Sequence, residues 1–266
     1  MIGVFDSGVG GLSIYREIKT LIPETHYIYF SDNAHFPYGE KSEEEIKAYA
    51  YCISSFLIDK GAELIVTACN SATVSSINYL RNSFSVPFVG VVPPVKPAVQ
   101  STKSGKIAVL LTEASSKGKK YQELIETWAN GVNVISVQFP LLVKLVEDGM
   151  TEITSIKSFL FDKLERLKNM GVDTIVLGCT HFIFLKEIII SMFGDTFTVL
   201  DPATAVAKQT LKLYSEIRTE KPVSNSQNED LFYTSGDVES FRRFIKKWLK
   251  LDTEKVYKID LECLKN

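Results

Sequence analysis

Several residues and segments that mark common functional classes are scarce in this chain of 266 residues. It has three histidines, His26, His35 and His181, and no two are four residues apart, which disfavours a histidine-built metal site. Its four cysteines lack the CxxC spacing of zinc or redox pairs. No apolar run approaches the roughly 20 residues that cross a bilayer. We therefore expect no metal and no membrane partner.

An excess of charge of either sign is also missing. The chain has 30 Lys and Arg against 32 Asp and Glu, a net charge of -2. Proteins that bind nucleic acid usually have a basic excess that neutralises phosphates, so we expect small-molecule partners and no nucleic acid. The N-terminal residues 1–6 reach an acidic side chain without a basic leader, which argues against a secretory signal and favours a cytoplasmic location.

Short apolar runs alternate with segments of helical periodicity, a pattern typical of βα units in a mainly parallel sheet. A capping box at Ser42 and Glu45 predicts the start of one helix, which ends before Gly61, and a similar helix ends before Gly171. The predicted strands are residues 2–5, 27–30, 64–68, 88–91, 107–111, 134–137, 174–177 and 198–200.

The two halves of this pattern resemble each other. Three pairs of segments match in the same order: 61–69 with 171–179, 87–93 with 196–202, and 3–5 with 108–110. Matching segments in one order indicate a duplicated architecture. The predicted fold class is α/β, with two pseudo-symmetric, open, mainly parallel-sheet βα modules and the active site in the cleft between them.

The module boundaries follow from this duplication. We expect residues 1–95 to form the first domain and 96–206 the second, with the C-terminal tail 207–266 returning to the first. The tail has a predicted strand at 231–234 and a predicted helix at 238–249, so it has an element with which to extend the first sheet.

Polar residues follow the predicted strands, where ligands bind in open parallel sheets. Asp6 and Ser7 begin a glycine cluster that ends at Gly11. This cluster fits neither GxGxxG nor the Walker pattern, so an anion-binding loop and a tight strand-to-helix turn remain equal alternatives. Either could hold a carboxylate.

Two cysteines carry a stronger signal. Cys69 and Cys179 each follow an apolar strand and open a helix whose dipole favours a thiolate, and they are equivalent across the duplication. Cys52 fits a packing role, and Cys263 gives no functional indication. If the modules face each other, the two thiols flank one cleft.

Two opposed thiols could remove a proton from one face of a tetrahedral carbon and return one to the other face, which is racemase chemistry. A dithiol redox centre is the alternative; it requires sulfurs within bonding distance, and the sequence gives no sign of a bridge.

The chain resembles the glutamate racemases of the cofactor-independent aspartate/glutamate racemase superfamily nearly end to end. The resemblance is carried by residues 3–11, 32–33 with 37–42, 68–72, 177–182 and 201–203. It implies reversible interconversion of L- and D-glutamate without a cofactor, which supplies D-glutamate for peptidoglycan synthesis and cell wall biogenesis. No lysine stands in a recognisable cofactor motif, which agrees with this implication.

The resemblance also implies the site residues. Cys69 and Cys179 would be the proton donors and acceptors, with Asp6 beside one thiol and His181 beside the other, and Glu147 in a role similar to theirs. A solvated loop carboxylate remains the alternative for Glu147, and a helix residue bonded only to backbone for His181. The implied substrate-binding residues are Asp6, Ser7, Tyr38, Gly39, Asn70, Ser71, Thr112, Ser115, Thr180 and His181.

Two other functions remain open at this stage: an aspartate racemase, which would differ in pocket depth, and a non-catalytic carboxylate-binding protein of the same fold. Members of the resembled family often form dimers, so we expect a homodimer. Phe241 and Trp248 in the tail could serve such an interface or lie in the core.

Overall fold

A computed structural model of the chain describes residues 1–149, 154–220 and 229–261. The chain divides into two compact units, Met1–Val91 with Ala203–Asn266 (the first unit) and Val92–Pro202 (the second unit). The predicted domain boundaries at 95/96 and 206/207 each lie four residues further along the chain than this division. None of the helices in the described ranges is long and apolar enough to span a membrane.

The strands, in chain order, are β1 (Ile2–Asp6), β2 (Tyr27–Ser31), β3 (Leu64–Thr67), β4 (Phe88–Gly90), β5 (Lys106–Leu111), β6 (Asn133–Gln138), β7 (Thr174–Leu177), β8 (Thr198–Leu200), β9 (Leu231–Thr234) and β10 (Val256–Lys258). The helices are α1 (Leu12–Leu21), α2 (Glu43–Asp59), α3 (Asn70–Ser83), α4 (Val95–Ser101), α5 (Glu113–Lys117), α6 (Lys119–Trp128), α7 (Pro140–Glu147), α8 (Thr154–Asn169), α9 (Thr180–Ile183), α10 (Lys186–Phe193), α11 (Ala203–Glu220) and α12 (Val238–Leu249). Short 3₁₀ turns occupy Asn33–His35, Tyr38–Glu40 and Gly194–Thr196.

Within the described ranges, the first unit has a six-stranded parallel sheet in the order β10-β9-β2-β1-β3-β4. Strand β2 is buried along its whole length, as expected of a strand covered by helices on both faces. Ile28 and Phe30 belong to the core that includes α2 and α3. The alternate residues Tyr27 and Tyr29 lie against Tyr15 of α1 on the other face.

The second unit has a four-stranded parallel sheet in the described residues, in the order β6-β5-β7-β8. This order repeats the order β2-β1-β3-β4 of the first unit. The predicted α/β class with two mainly parallel sheets is therefore confirmed, and each predicted strand in these sheets ends within one residue of the observed strand.

The helices that precede β3 and β7 also end alike. Gly61 follows α2 with φ of +97°, and Gly171 follows α8 with φ of +82°. Glycine adopts this left-handed conformation without the Cβ penalty that other residues incur, which explains its use at both helix ends. The capping box at the start of α2 is confirmed: Ser42 Oγ accepts from Glu45 N, and the Glu45 carboxylate accepts from Ser42 N.

The C-terminal residues extend the first sheet, because β9 pairs in parallel with β2 and β10 pairs with β9. Strand β9 and helix α12 have the predicted bounds. Phe241 of α12 is buried at 2% exposure against Tyr29 and Phe232, so it belongs to the core and supplies no interface. Trp248 is partly buried and stacks on Phe244.

Asp173, just before β7, organises the loop that leads into β5. Its carboxylate accepts from the backbone N–H groups of Lys103 and Ser104 and from the hydroxyls of Thr102 and Thr174. Burial raises the pKa of Asp173, but the hydrogen bonds outweigh this effect and lower its pKa to about 2. The ionised carboxylate is therefore a fixed part of the second unit.

We expect Asp173→Asn to lower the thermal midpoint of the second unit by a few degrees, because two backbone donors lose a charged acceptor. A depressed folded-state pKa contributes stability above the unfolded value and loses it as pH falls towards 2. The difference between the variant and the unsubstituted protein should therefore shrink below pH 4 in thermal melts. An equal difference at pH 7 and pH 2 would contradict this assignment.

Candidate active site

The first unit gathers its polar residues at the carboxyl ends of β1, β2 and β3. Asp6, the last residue of β1, is completely buried, and its Oδ1 accepts from Gly8 N at 2.9 Å. A Cβ on Gly11 would lie 2.7 Å from Asp6 Cβ and 2.9 Å from Ala68 Cβ. The glycine cluster is therefore a tight strand-to-helix turn that packs on the Asp6 side chain.

Cys69 lies where β3 gives way to α3. It is the N-cap of α3, and its Sγ accepts from Ala72 N at 3.5 Å. Ser7 Oγ lies 3.7 Å from the same sulfur, and Cys69 is 6% exposed. A helix N-terminus favours negative charge, so this position stabilises a thiolate.

Asn70 and Ser71 form the first turn of α3 and are buried. Neither Asn70 Oδ1 nor Asn70 Nδ2 has a hydrogen-bond partner among the described residues. A buried amide without hydrogen-bond partners costs about 1–3 kcal/mol of folding free energy. Such amides are rare in stable proteins and are typical of groups that bind a ligand.

Tyr38 begins the second 3₁₀ turn after β2. Its hydroxyl donates to Asp32 Oδ2 at 2.6 Å, and the ring is 1% exposed. Burial raises the pKa of Tyr38 well above its ordinary value, and the charges of Asp32, Cys69 and Asp6 raise it further. Tyr38 therefore keeps its proton, and the charges of Cys69 and Asp6 act on its hydroxyl. Gly39 follows it in the same 3₁₀ turn.

The second unit has its own thiol at the equivalent position. Cys179 is the N-cap of α9, two residues after the end of β7, and is 6% exposed. A Cβ on the preceding Gly178 would lie 2.8 Å from the Leu110 carbonyl oxygen, so the backbone passes β5 at a distance that requires glycine.

His181 links this thiol to a carboxylate. Its Nδ1 lies 3.9 Å from Cys179 Sγ, and its Nε2 lies 2.7 Å from Glu147 Oε2. The imidazole is 2% exposed and the Glu147 side chain 12%. These contacts exclude the two alternatives that the sequence left open: Glu147 is not a solvated loop carboxylate, and His181 is not bonded only to backbone.

The protonation of His181 follows from its neighbours. Burial lowers its pKa, but the hydrogen bonds to Cys179 and Glu147 and their charges outweigh burial and raise the pKa well above 6.5. This direction favours the protonated imidazole, whose Nδ1 lies beside Cys179 Sγ.

The hydroxyls of the second unit lie at two strand ends. Thr112 follows β5 and caps α5, where its Oγ1 accepts from Ser115 N and donates to Ser115 Oγ at 3.0 Å. Thr180 is 2% exposed and begins α9 beside Cys179. Strands β5 and β7 are neighbours, so both hydroxyl groups lie at the same edge of one sheet.

The structure thus forms two groups from the predicted site residues, one in each unit. Cys69 and Cys179 are free buried cysteines. Cys52 is disulfide-bonded and supplies no thiol, and Cys263 lies outside the described residues. No group of three or more metal-ligating side chains occurs among the described residues.

Two residues that contact the first group were not among the predicted site residues. Asp32 directly follows β2, so its position after a strand is the signal that could have identified it. Ser235 follows β9, and its Oγ donates to Asp32 Oδ1 at 2.7 Å. No motif marks Ser235, because its role depends on the tail pairing with β2.

These features define a class: α/β proteins with two parallel sheets of shared strand order, each with a buried free thiol at the start of the helix after its third strand. The sequence model of the family described as Asp/Glu/hydantoin racemase matches residues 2–210. The chain therefore belongs to this family, which confirms the resemblance found in the sequence.

Individual relatives agree. A glutamate racemase of Herpetosiphon aurantiacus is 40% identical over 251 residues, 94% of this chain and 98% of that protein. The crystal structure of Escherichia coli glutamate racemase with L-glutamate and the activator UDP-MurNAc-ala has a TM-score of 0.84 and 32% identity, covering 97% of this chain and 96% of that one. Glutamate racemase of Francisella tularensis with D-glutamate has a TM-score of 0.83 and 26% identity, covering 98% and 97%.

Proposed function

We propose that this protein is an amino-acid racemase that interconverts L- and D-glutamate by direct proton exchange at Cα. One observation carries the mechanism: a free, buried cysteine opens the helix after the third strand of each unit. Two relatives that are 40% and 37% identical to this chain, over 94% and 98% of its length, are glutamate racemases, which favours glutamate over aspartate as substrate. A non-catalytic carboxylate-binding protein would not require the buried contacts that join Glu147, His181 and Cys179.

In the proposed reaction, a cysteine thiolate takes the Cα proton, so the C–H bond breaks and an S–H bond forms. The electron pair of the broken bond stays on the substrate as a planar carbanion. The other cysteine, as a thiol, donates its proton to the opposite face and becomes a thiolate. Two acid/base groups can run this exchange in both directions, and the sequence-based expectation of no cofactor remains part of the proposal.

The two groups of polar residues match the needs of a glutamate zwitterion. Its two carboxylates require donors, and Asn70, Ser71 and Thr180 can supply N–H and O–H groups. Its ammonium requires an acceptor, for which Asp6 is the buried carboxylate, linked to Cys69 through the Ser7 hydroxyl. The remaining substrate-binding residues in the proposal are Ser7, Tyr38, Gly39, Thr112, Ser115 and His181.

The product, D-glutamate, would serve peptidoglycan synthesis, as is known for glutamate racemases. The proposal places the protein in the cytoplasm as a homodimer. Sedimentation at micromolar concentration tests the dimer, and a single species of 29.8 kDa would contradict it.

Proton exchange with solvent tests the function directly. The purified protein, without added cofactor, should convert D- or L-glutamate to the racemate in heavy water and place deuterium at Cα of the product. L- and D-aspartate serve as the substrate control. Inversion of aspartate in preference to glutamate would assign the other racemase activity, and no exchange with either would overturn the proposal.

The unpartnered amide of Asn70 leads to a separate prediction. We expect Asn70→Ala to raise KM for glutamate about tenfold or more, because a substrate carboxylate would lose its donor. The thermal midpoint should stay the same or rise, because an amide without partners leaves the interior. Saturation kinetics and thermal melts measure the two effects, with Asn82→Ala, an exposed residue of the same helix, as the comparison that should change neither. A large loss of stability at unchanged KM would contradict the role of Asn70.

A further inference from the structure

Asp32 is a buried carboxylate with donors from three parts of the first unit. It has no exposed surface, and its oxygens lie 2.6 Å from Tyr38 Oη, 2.7 Å from Ser235 Oγ and 2.9 Å from His35 Nδ1. A buried carboxylate is tolerated when hydrogen-bond donors surround it, so these three contacts stabilise Asp32 in the interior.

Ser235 belongs to the C-terminal segment, 203 residues further along the chain. Its backbone N–H donates to the Ser31 carbonyl at 3.1 Å, and its hydroxyl oxygen accepts from Ala34 N at 2.9 Å. Next to it, Thr234 Oγ1 donates to Asn33 Oδ1 at 3.0 Å. The end of β9 and the residue after it are therefore hydrogen-bonded to residues 31–34, the end of β2 and the first part of the loop that leads to Tyr38.

We propose that Asp32 is a positioning residue that holds Tyr38 and the turn of Gly39 at the candidate site, and that Ser235 of the C-terminal segment completes this support. The inference rests on the proposed function, because Tyr38 and Gly39 are substrate-binding residues there. It assigns to the tail a contribution to catalysis that acts through Asp32 and Tyr38.

The chemistry of a carboxamide makes the role testable. Asparagine at position 32 has one acceptor oxygen and one NH₂ group, so it cannot accept from Tyr38, Ser235 and His35 together. One donor would then face another donor, and Tyr38 would lose its fixed orientation. Misplacing a substrate-positioning group by about 1 Å costs up to about 10²-fold in rate.

A double-mutant cycle separates positioning from general stability. We expect Asp32→Asn and Tyr38→Phe each to lower kcat for glutamate by about 10- to 100-fold, with a smaller change in KM. The kcat of the double variant should not fall below that of the less active single variant, because both substitutions break the same hydrogen bond. Ser235→Ala, which removes a single oxygen, should lower kcat in the same direction by a smaller factor.

Asp237→Asn is the matched control. Asp237 lies two residues after Ser235 and caps α12, where its Oδ1 accepts from Ser240 N. This variant should keep the kcat of the unsubstituted protein at 25 °C, even if its thermal midpoint falls.

Three outcomes decide the matter. If the unsubstituted protein does not racemise glutamate, the proposed function fails and this inference with it. If it does, but Asp32→Asn has unchanged kcat per folded molecule, or the losses from Asp32→Asn and Tyr38→Phe multiply, the positioning role alone is overturned. If Asp32→Asn does not fold, Ser235→Ala decides: unchanged kcat overturns the role, and a lower kcat at an unchanged thermal midpoint supports it.

Discussion

Replacing either Cys69 or Cys179 with alanine is expected to lower the racemisation rate of glutamate by about 10³-fold or more, while one half of the proton exchange continues. With Cys69 absent, Cys179 can still remove a proton from one face of Cα and return a solvent proton to the same face. The enantiomer that presents its proton to Cys179 would then exchange with solvent without inversion. With Cys179 absent, the other enantiomer would exchange.

Chiral separation of the product and deuterium content at Cα measure inversion and exchange independently. Each single variant should exchange one enantiomer, and the two variants should differ in which one. Ser83→Ala, at the exposed C-terminal end of α3, is the control and should keep racemisation. Retained inversion in either active-site variant, or exchange of the same enantiomer in both, would contradict the two-thiol mechanism.

The positions of the thiols could be predicted from the sequence because they depend on local signals. Each strand before a cysteine is a short apolar run, and each helix before that strand ends at a glycine whose φ is positive, Gly61 and Gly171. These features recur at a fixed interval, so a duplicated sheet and a thiol at each strand end follow from the pattern alone. The shared strand order of the two sheets agrees with that reading.

The contacts that complete the site depend on distant parts of the chain. The Glu147 carboxylate reaches His181 across 34 residues, and Ser235 reaches Asp32 across 203. No periodicity encodes such pairings, because they arise from the packing of helices and strands that are already formed. Strand β10 was also missed, since three residues, of which two are exposed, give too short an alternation to detect.

Glu147→Gln is expected to lower kcat/KM for glutamate by about 10²-fold at neutral pH and to shift the pH profile. The hydrogen bond and charge of Glu147 help to raise the pKa of His181 well above 6.5, against the effect of burial. Removing that charge lets His181 lose its proton at lower pH. The imidazolium whose Nδ1 lies 3.9 Å from Cys179 Sγ would then lose its charge earlier as pH rises, so the alkaline limb of kcat/KM should move to lower pH.

The thermal stability of the protein should also fall in Glu147→Gln. A folded-state pKa that is raised contributes stability in full below the unfolded value of 6.5 and loses it as pH rises through the folded value. Glu147→Gln should therefore reduce thermal stability below pH 6.5, and the difference should narrow at alkaline pH. Glu113→Gln changes an exposed carboxylate of the same unit, paired with Lys117, and should leave the profile unchanged. If the alkaline limb of kcat/KM stayed at the same pH in Glu147→Gln, the charge of His181 would not set that limb.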